Sequence, residues 1–360
     1  MKAFKFGDIV SREYGVGISG TGTFDAPERD VDIIDIPGRN GSIVQDNGRF
    51  HNIQVTYPAF ISRGFDELFP RFKAAMMQYT GYQKLTDEYD PEHYREAMFS
   101  GPMQPRTGVY NKSGKFDIVF NCKPQRFLTS GAEAVTYMPV TATSTGSRVA
   151  GIEVTPGTRF SVRGTYPSGR TGNVVVTYYT SAGASIRADT TAISAQAVSY
   201  TGTVPANAAT ATVDFPVGEN GYITIINDGA TTLYNDTGIV LLNPTPYAAR
   251  PVMTFYGASD TTISLGTYST DGTVYYSSYG IAIDTVTAPA VTIDSTISDC
   301  YYKDEQYSIL VNLNPDIMLL SDQLTGALAY DFPVIQGNAQ MVIPAVGFTK
   351  AVIAPGWWEV

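Results

Sequence analysis

The sequence predicts a mostly β protein of short strands and turns with one isolated helix. Three observations carry this. Of 360 residues only 16% are charged, while Gly (34) and Tyr (24) are abundant, a balance that favours strands and turns. Short apolar alternations recur between Gly/Pro/Asp/Asn clusters along most of the chain. A clear apolar spacing of three and four residues stands out only over 65–79. This length implies two or three domains, each able to bury a core.

Residues 3–6, 16–24, 31–36 and 54–60 read as strands. Between the third and fourth lies Asp35-Ile36-Pro37-Gly38-Arg39-Asn40-Gly41-Ser42. Pro37 presets a turn, Gly38 supplies a positive φ, and Asn40-Gly41 gives a second reversal. In the helix, Phe65, Leu68, Phe69, Phe72, Ala75, Met76 and Tyr79 share one core-packing face. Asp66 and Glu67 suit its N-terminal dipole, Gly81 is the expected stop, and Pro70 predicts a kink or two short turns of helix. Strands follow at 82–85, 95–99 and 116–120.

After residue 128 the composition shifts. No lysine occurs between Lys123 and Lys303, and Thr, Ser, Ala and Val dominate. Residues 138–237 read as an inserted β-sandwich or jelly roll, with strands at 160–164, 174–179, 208–213 and 222–226. Turns at Pro156-Gly157, Ser168-Gly169 and Pro205-Ala206-Asn207 separate them. From residue 241 the chain is β again, ending in Trp357-Trp358, read as packing in a closing strand.

The net charge of −10 argues against a surface that grips nucleic acid. No apolar run is long enough to span a membrane, and residues 1–8 lack the apolar core of a signal peptide. Cys122 and Cys300 are too few for a disulfide framework and read as buried thiols, in keeping with synthesis in a reducing compartment.

Catalytic signatures are lacking, and no enzyme activity is expected. Gly15-Val16-Gly17-Ile18-Ser19-Gly20 has the spacing of a dinucleotide loop, but the residues after it read as strand, not helix. His51 and His93 have no nucleophile motif beside them and read as surface or structural. Asp87, Glu88, Asp90 and Glu92 read as a solvated acidic turn, without the spacing of a calcium loop. No cofactor is expected; a structural calcium near Asp214, Glu219 and Asp228 is the one metal the pattern leaves room for. Paired carboxylates for glycosidic cleavage are a property of the fold that spacing does not decide.

Taken in order, these motifs resemble a known family. Ile36-Pro37-Gly38-Arg39-Asn40-Gly41 resembles the belt-domain signature of the distal tail (Dit) proteins of bacteriophages with long, non-contractile tails. The 65–79 helix, Gly81-Tyr82-Gln83-Lys84-Leu85 and Pro91-Glu92-His93-Tyr94-Arg95 are similar to the segments next in order in that family. Cys122-Lys123-Pro124-Gln125-Arg126-Phe127 is similar to the end of its first domain. Asn243-Pro244-Thr245 and Arg250-Pro251-Val252-Met253 with Gly257 resemble the start of its galectin-like second domain. Asp331-Phe332-Pro333-Val334, Gly337-Asn338 and Pro355-Gly356-Trp357-Trp358 resemble its closing strands, although the family more often carries Arg where Gly356 stands.

The resemblance implies a belt domain over 1–130 and a galectin-like β-sandwich over 131–137 and 238–360. The insertion at 138–237 then resembles the carbohydrate-binding module of enlarged, "evolved" members. It further implies a hexameric ring at the virion's tail tip, made in the host cytoplasm. The ring would join tail tube, tape measure and tail-associated tip proteins, and the insert would touch host cell-wall saccharide. A polysaccharide-degrading tail enzyme, and an insert serving only as spacer or interface, are the alternatives. Sugar binding needs an aromatic face with polar groups beside it. The insert has no Trp, which leaves Tyr166, Tyr178, Tyr179, Tyr200, Tyr222 and Tyr234 as stacking candidates, with Tyr166 and Arg170 on an expected loop. Tyr178 and Tyr179 point to opposite faces of a strand, so one belongs to the core.

Overall fold

The chain is mostly β. The structure, a computed structural model, describes residues 2–20, 22–138, 140–142, 146–166, 169, 171–216, 222–235, 238–284, 288–304, 309–313, 317–323, 328–329, 332–344 and 346–360. It divides into two compact units, 1–131 with 358–360, and 132–357.

The first unit begins with β1 (Phe4–Phe6), β2 (Ile9–Val10) and β3 (Val16–Ile18). Next come β4 (Arg29–Ile34), β5 (Ile43–Phe50), β6 (Ile53–Ile61) and helix α1 (Phe65–Met76). It continues through β7 (Gln83–Asp87), β8 (Asp90–Phe99), β9 (Arg106–Thr107) and β10 (Gly114–Leu128). Its main sheet runs β2-β1-β7-β8-β10-β6-β3. The β4–β5 pair stands apart as a sheet of its own.

The core forms where α1 lays Phe65, Phe69, Phe72 and Met76 against Phe4, Phe116 and Phe120 of the sheet. Gly114 lies under the Phe65 ring, and a Cβ there would sit 2.5 Å from it. Contrary to the expected kink, α1 runs unbroken through Pro70. It also ends at Met76, before the expected 79, with Tyr79 leaving the helix to pack on Phe6 and meet the backbone N–H of Asp8. In β10 the register with β8 shifts between Cys122 and Arg126, placing Pro124 at a bulge where its missing N–H costs no ladder bond.

The acidic run is a further correction, because it is no solvated turn. Asp87 is buried and accepts from the hydroxyls of Tyr57 (2.6 Å) and Thr23 (2.8 Å) and from the N–H groups of Tyr89 and Asp90. Glu88 pairs with Arg12, and Asp90 with His93 and Arg126. The glycine motif is no dinucleotide loop either: Gly15 ends a short 3-10 turn, Ser11–Tyr14, and β3 follows. Cys122 and Cys300 are both buried and in no disulfide, and burial pushes each thiol up to about 12.

The second unit opens with α2 (Thr129–Ala132), which spans the junction, then β11 (Val135–Tyr137), β12 (Val140–Ala142), β13 (Ser147–Glu153) and β14 (Arg159–Thr165). It continues with β15 (Asn173–Tyr179), β16 (Ser185–Ala192), β17 (Ala197–Thr203) and β18 (Thr210–Phe215). β19 (Tyr222–Asn227), β20 (Ala230–Asn235) and β21 (Gly238–Leu242) follow. β22 (Val252–Tyr256), β23 (Thr261–Ser269), β24 (Tyr275–Ile283) and β25 (Ala290–Asp294) come next. The last are β26 (Asp299–Asp304), β27 (Ile309–Asn312), β28 (Ile317–Gln323), β29 (Leu328–Ala329), β30 (Ala339–Pro344) and β31 (Lys350–Ala354).

One sheet runs β12-β13-β18-β15-β16 and another β11-β31-β22-β25-β26-β27. The third runs β17-β14-β19-β20-β21-β30-β23-β24-β28-β29, so its ladder crosses from the inserted segment into the C-terminal one at Tyr234↔Ile239 and Asn235↔Gly238. Val149, Phe160, Val162, Val176, Tyr178, Val213 and Ile225 belong to one core, built by β13, β15 and β18 of the first sheet with β14 and β19 of the third. The final strand, β32 (Trp358–Glu359), belongs to the first unit and pairs with β10.

Candidate functional site

The β4–β5 hairpin is an arm without a core. Ile33 faces Val44 and Ile34 faces Ile43 in register, and strand alternation puts the two pairs on opposite faces. Ile33 and Val44 are 67% and 62% exposed; Ile34, Ile43 and Ile36 are exposed as well. The tip carries Pro37, Gly38, Arg39, Asn40 and Gly41, all exposed, with Gly38 and Gly41 both at φ +83° as the turns require.

What holds the arm together is polar and lies toward its base. Asn47 Nδ2 donates to Asp30 (3.1 Å) and Asp32 (3.2 Å), Arg49 Nε to Asp30, and Arg29 Nε to Asp46 (2.8 Å). The Asn47 amide, then Arg49, hold the Asp30 carboxyl below its usual range, and Arg29 does so for Asp46. A lone two-stranded hairpin is marginal in water, and this one exposes apolar side chains on both faces. In the same unit, a groove of about 840 Å³ is lined by Pro58, Phe60, Pro102, Pro105, Arg106 and Lys115, among others.

In the second unit, the edge strands β16 and β17 border an open cleft of about 560 Å³. Tyr200 donates to Asp189 Oδ2 at 2.5 Å, and its oxygen lies 3.2 Å from that of Tyr178. Arg187 Nη2 reaches Asp189 at 2.9 Å and the Thr203 carbonyl at 3.0 Å, with its guanidinium 5.1 Å from the centre of the Tyr178 ring. Burial, then the hydrogen bond to Asp189, raise the Tyr200 phenol above its ordinary pKa. Gly202 makes this possible, because any Cβ there would collide with the Tyr200 hydroxyl. Thr190, Thr191, Thr201 and Thr203 complete the lining.

Of the expected stacking residues, Tyr200 alone lines this cleft. Tyr166, expected on an exposed loop, is 5% exposed and packs in the core. Tyr178 is fully buried, being the core-facing member of its pair, and Tyr234 is buried too. None of these three offers a ring face to a ligand. Tyr179 is half-buried on β15. Tyr222 lies on β19 with its side chain outside the described residues, and Arg170 is outside them altogether. Arg187 and Asp189 went unnoticed in the sequence, though alternate polar positions Arg187, Asp189 and Thr191 put them on one strand face.

The calcium expectation gains no support. Asp214 is taken by Arg148 Nε at 2.6 Å, Asp228 sits in the turn between β19 and β20, and Glu219 lies outside the described residues. Among the described residues, no group of three His, Cys, Asp or Glu side chains could hold a metal. No described helix is long and apolar enough to cross a membrane.

No family model matches the chain, and no curated protein matches it in sequence. Solved structures similar to it include SPP1 Dit (gp 19.1), described as a paradigm of the hub adsorption apparatus in phages infecting Gram-positive bacteria. The identity is 9% and the TM-score 0.47, with 100% of each chain covered. The phage P2 baseplate in its activated conformation with Ca is similar at 11% identity and a TM-score of 0.43, over 98% of this chain and 97% of that one. Both scores fall below 0.5, and function is therefore read from this chain's own residues.

Proposed function

We propose that the chain is a structural hub protein of a phage tail tip, of the distal tail type, whose copies close into a hexameric ring through the β4–β5 arm. The arm is the observation that carries this reading. Its apolar pairs stay largely exposed among the described residues; covering Ile33 and Val44 is worth about 1–2 kcal/mol each. A second copy of the chain supplies the cover. The groove lined by Phe60, Pro102 and Pro105 has the room and the apolar rim to take a hairpin. An arm seated in a different surface of the next copy makes a head-to-tail contact, and such contacts form a ring when the rotation between copies closes. The hexamer, the tail-tube, tape-measure and tip partners and the virion location come from the sequence resemblance.

The inserted segment adds reversible adhesion to host cell-wall saccharide, with the Arg187–Asp189–Tyr200 cleft as its contact. The cleft presents donors, acceptors and hydroxyls in a row, as a polyhydroxylated ligand requires. Weak sites repeated around a ring gain avidity together. Glycosidic cleavage asks for two facing carboxylates, and among the described residues the cleft holds one, Asp189, already shared by Tyr200 and Arg187. That favours adhesion over hydrolysis.

Negative-stain images of the purified chain test the ring, with six-fold closed particles expected; single compact particles, alone and with tail-tube protein, would overturn it. Sedimentation of the full chain with purified cell wall tests adhesion. Binding is expected to fall in Asp189→Ala, and unchanged binding would leave the insert as a spacer.

A further inference from the structure

The C-terminal strand is held by more than its ladder. β32 pairs with β10 at two positions only, Arg126↔Glu359 and Phe127↔Trp358. So short a ladder does not hold a strand in water, and the side chains around it decide. Four of them alternate in charge around a ring. His93 Nδ1 lies 2.9 Å from Asp90 Oδ1, and His93 Nε2 lies 3.4 Å from Glu359 Oε1. Arg126 closes the ring, with Nη1 3.2 Å from that Glu359 oxygen and Nη2 on Asp90. His93, Asp90 and Arg126 are 18%, 15% and 12% exposed, so solvent screens the contacts among them little, while Glu359 is 37% exposed and is held less firmly.

Two further charged groups lie nearby. Asp87 of β7 and Arg95 of β8 line a cavity of about 20 Å³ with Asp90, His93 and Arg126. Asp87 is taken up by Tyr57 and Thr23, and Arg95 donates to the Asp25 carbonyl. The ring's balance therefore turns on His93. Only the imidazolium carries N–H on both nitrogens. With it, two cations face two anions. Without its extra proton, one ring nitrogen turns a lone pair toward a carboxylate, and two carboxylates share one guanidinium. Asp90 has the shorter bond to His93 and keeps Arg126, so the contact to Glu359 is the one that yields.

We propose that Asp90, His93, Arg126 and Glu359 form a protonation-controlled clasp on the C-terminal strand. His93 as the imidazolium ties β32 to β8, and loss of its proton leaves Glu359 on Arg126 alone and loosens β32. The clasp is closed while the imidazolium persists and loosens as rising pH removes its extra proton. The chain leaves the first unit after Gly131 and returns to it at Trp358.

The chain's two tryptophans, Trp357 and Trp358, lie at this strand, and its two histidines are His51 and His93. Acrylamide quenching of tryptophan emission in the full chain, followed from about pH 5 to 8, therefore reads the clasp directly. The expected result is one titration step toward greater quenching as pH rises, kept in His51→Gln. His93→Gln should lose the step and show the high-pH quenching throughout, with far-ultraviolet circular dichroism confirming its fold. Glu359→Gln, which leaves the histidine in place, should lose the step as well. Flat quenching in the wild type, or a step that survives in His93→Gln or intact in Glu359→Gln, would overturn the proposal.

Discussion

Ile33 stands directly opposite Val44 across the β4–β5 arm, and both side chains are almost two-thirds or more exposed. Neither contacts the core of the first unit, whose buried cluster contains no residue of the arm. Changing the pair to Ile33→Asp with Val44→Lys puts opposite charges across the ladder, which keeps the hairpin while removing its apolar face. At concentrations too low for assembly, thermal unfolding should shift by no more than about 0.5 kcal/mol. A larger loss would mean that the arm packs on its own chain.

Phe72 is the opposite case. It is fully buried and meets Phe4, Tyr14 and Phe116 within 6.3 Å between ring centres. Phe72→Ala should cost about 3–5 kcal/mol in urea unfolding of the first unit.

Asp87→Ala tests the acidic run. Removing the carboxylate strands the Tyr57 and Thr23 hydroxyls and two backbone N–H groups. A loss of about 1–3 kcal/mol is expected. A solvated turn would tolerate the change, so a null effect contradicts the buried network.

Gly202→Ala should disturb the cleft without removing any ligand-facing group. The new methyl meets the Tyr200 hydroxyl, which must leave Asp189 or push β17 outward. A cost of about 1–3 kcal/mol and weaker cell-wall binding are expected together, by calorimetry and sedimentation.

The two thiols give a pH dependence. Burial raises Cys122 and Cys300 to about 12 in the fold, whereas unfolded thiols ionise near ~8.5. Between those values the unfolded chain releases protons that the native chain keeps, so stability is complete below the lower value and falls as pH rises toward the upper. Iodoacetamide at about pH 8 should label neither cysteine until the chain unfolds.

Much of the fold was legible in the sequence, for reasons that particular residues make plain. The helix face of Phe65, Phe69, Phe72 and Met76 showed in its spacing because it packs on one sheet. The tip glycines of the arm showed because their positive φ leaves little choice of residue. Of the cleft only Tyr200 was legible, as a stacking candidate. Tyr200 reaches Asp189 only because Gly202, two positions on, leaves room, and Arg187 covers Tyr178 from another strand. These are tertiary relationships that no local pattern encodes. The expected binding loop at Tyr166 failed for the converse reason: a tyrosine beside turn residues looks exposed, but its ring had a core to fill. The acidic run misled likewise, since its partners Tyr57 and Arg126 lie on distant strands.

Light scattering on the full-length wild type beside the Ile33→Asp, Val44→Lys variant tests assembly through the arm most directly. The predicted result is a wild-type mass of six chains, with the folded variant at the mass of one. A wild type that assembles equally well with and without the Ile33–Val44 pair would contradict the role given to the arm.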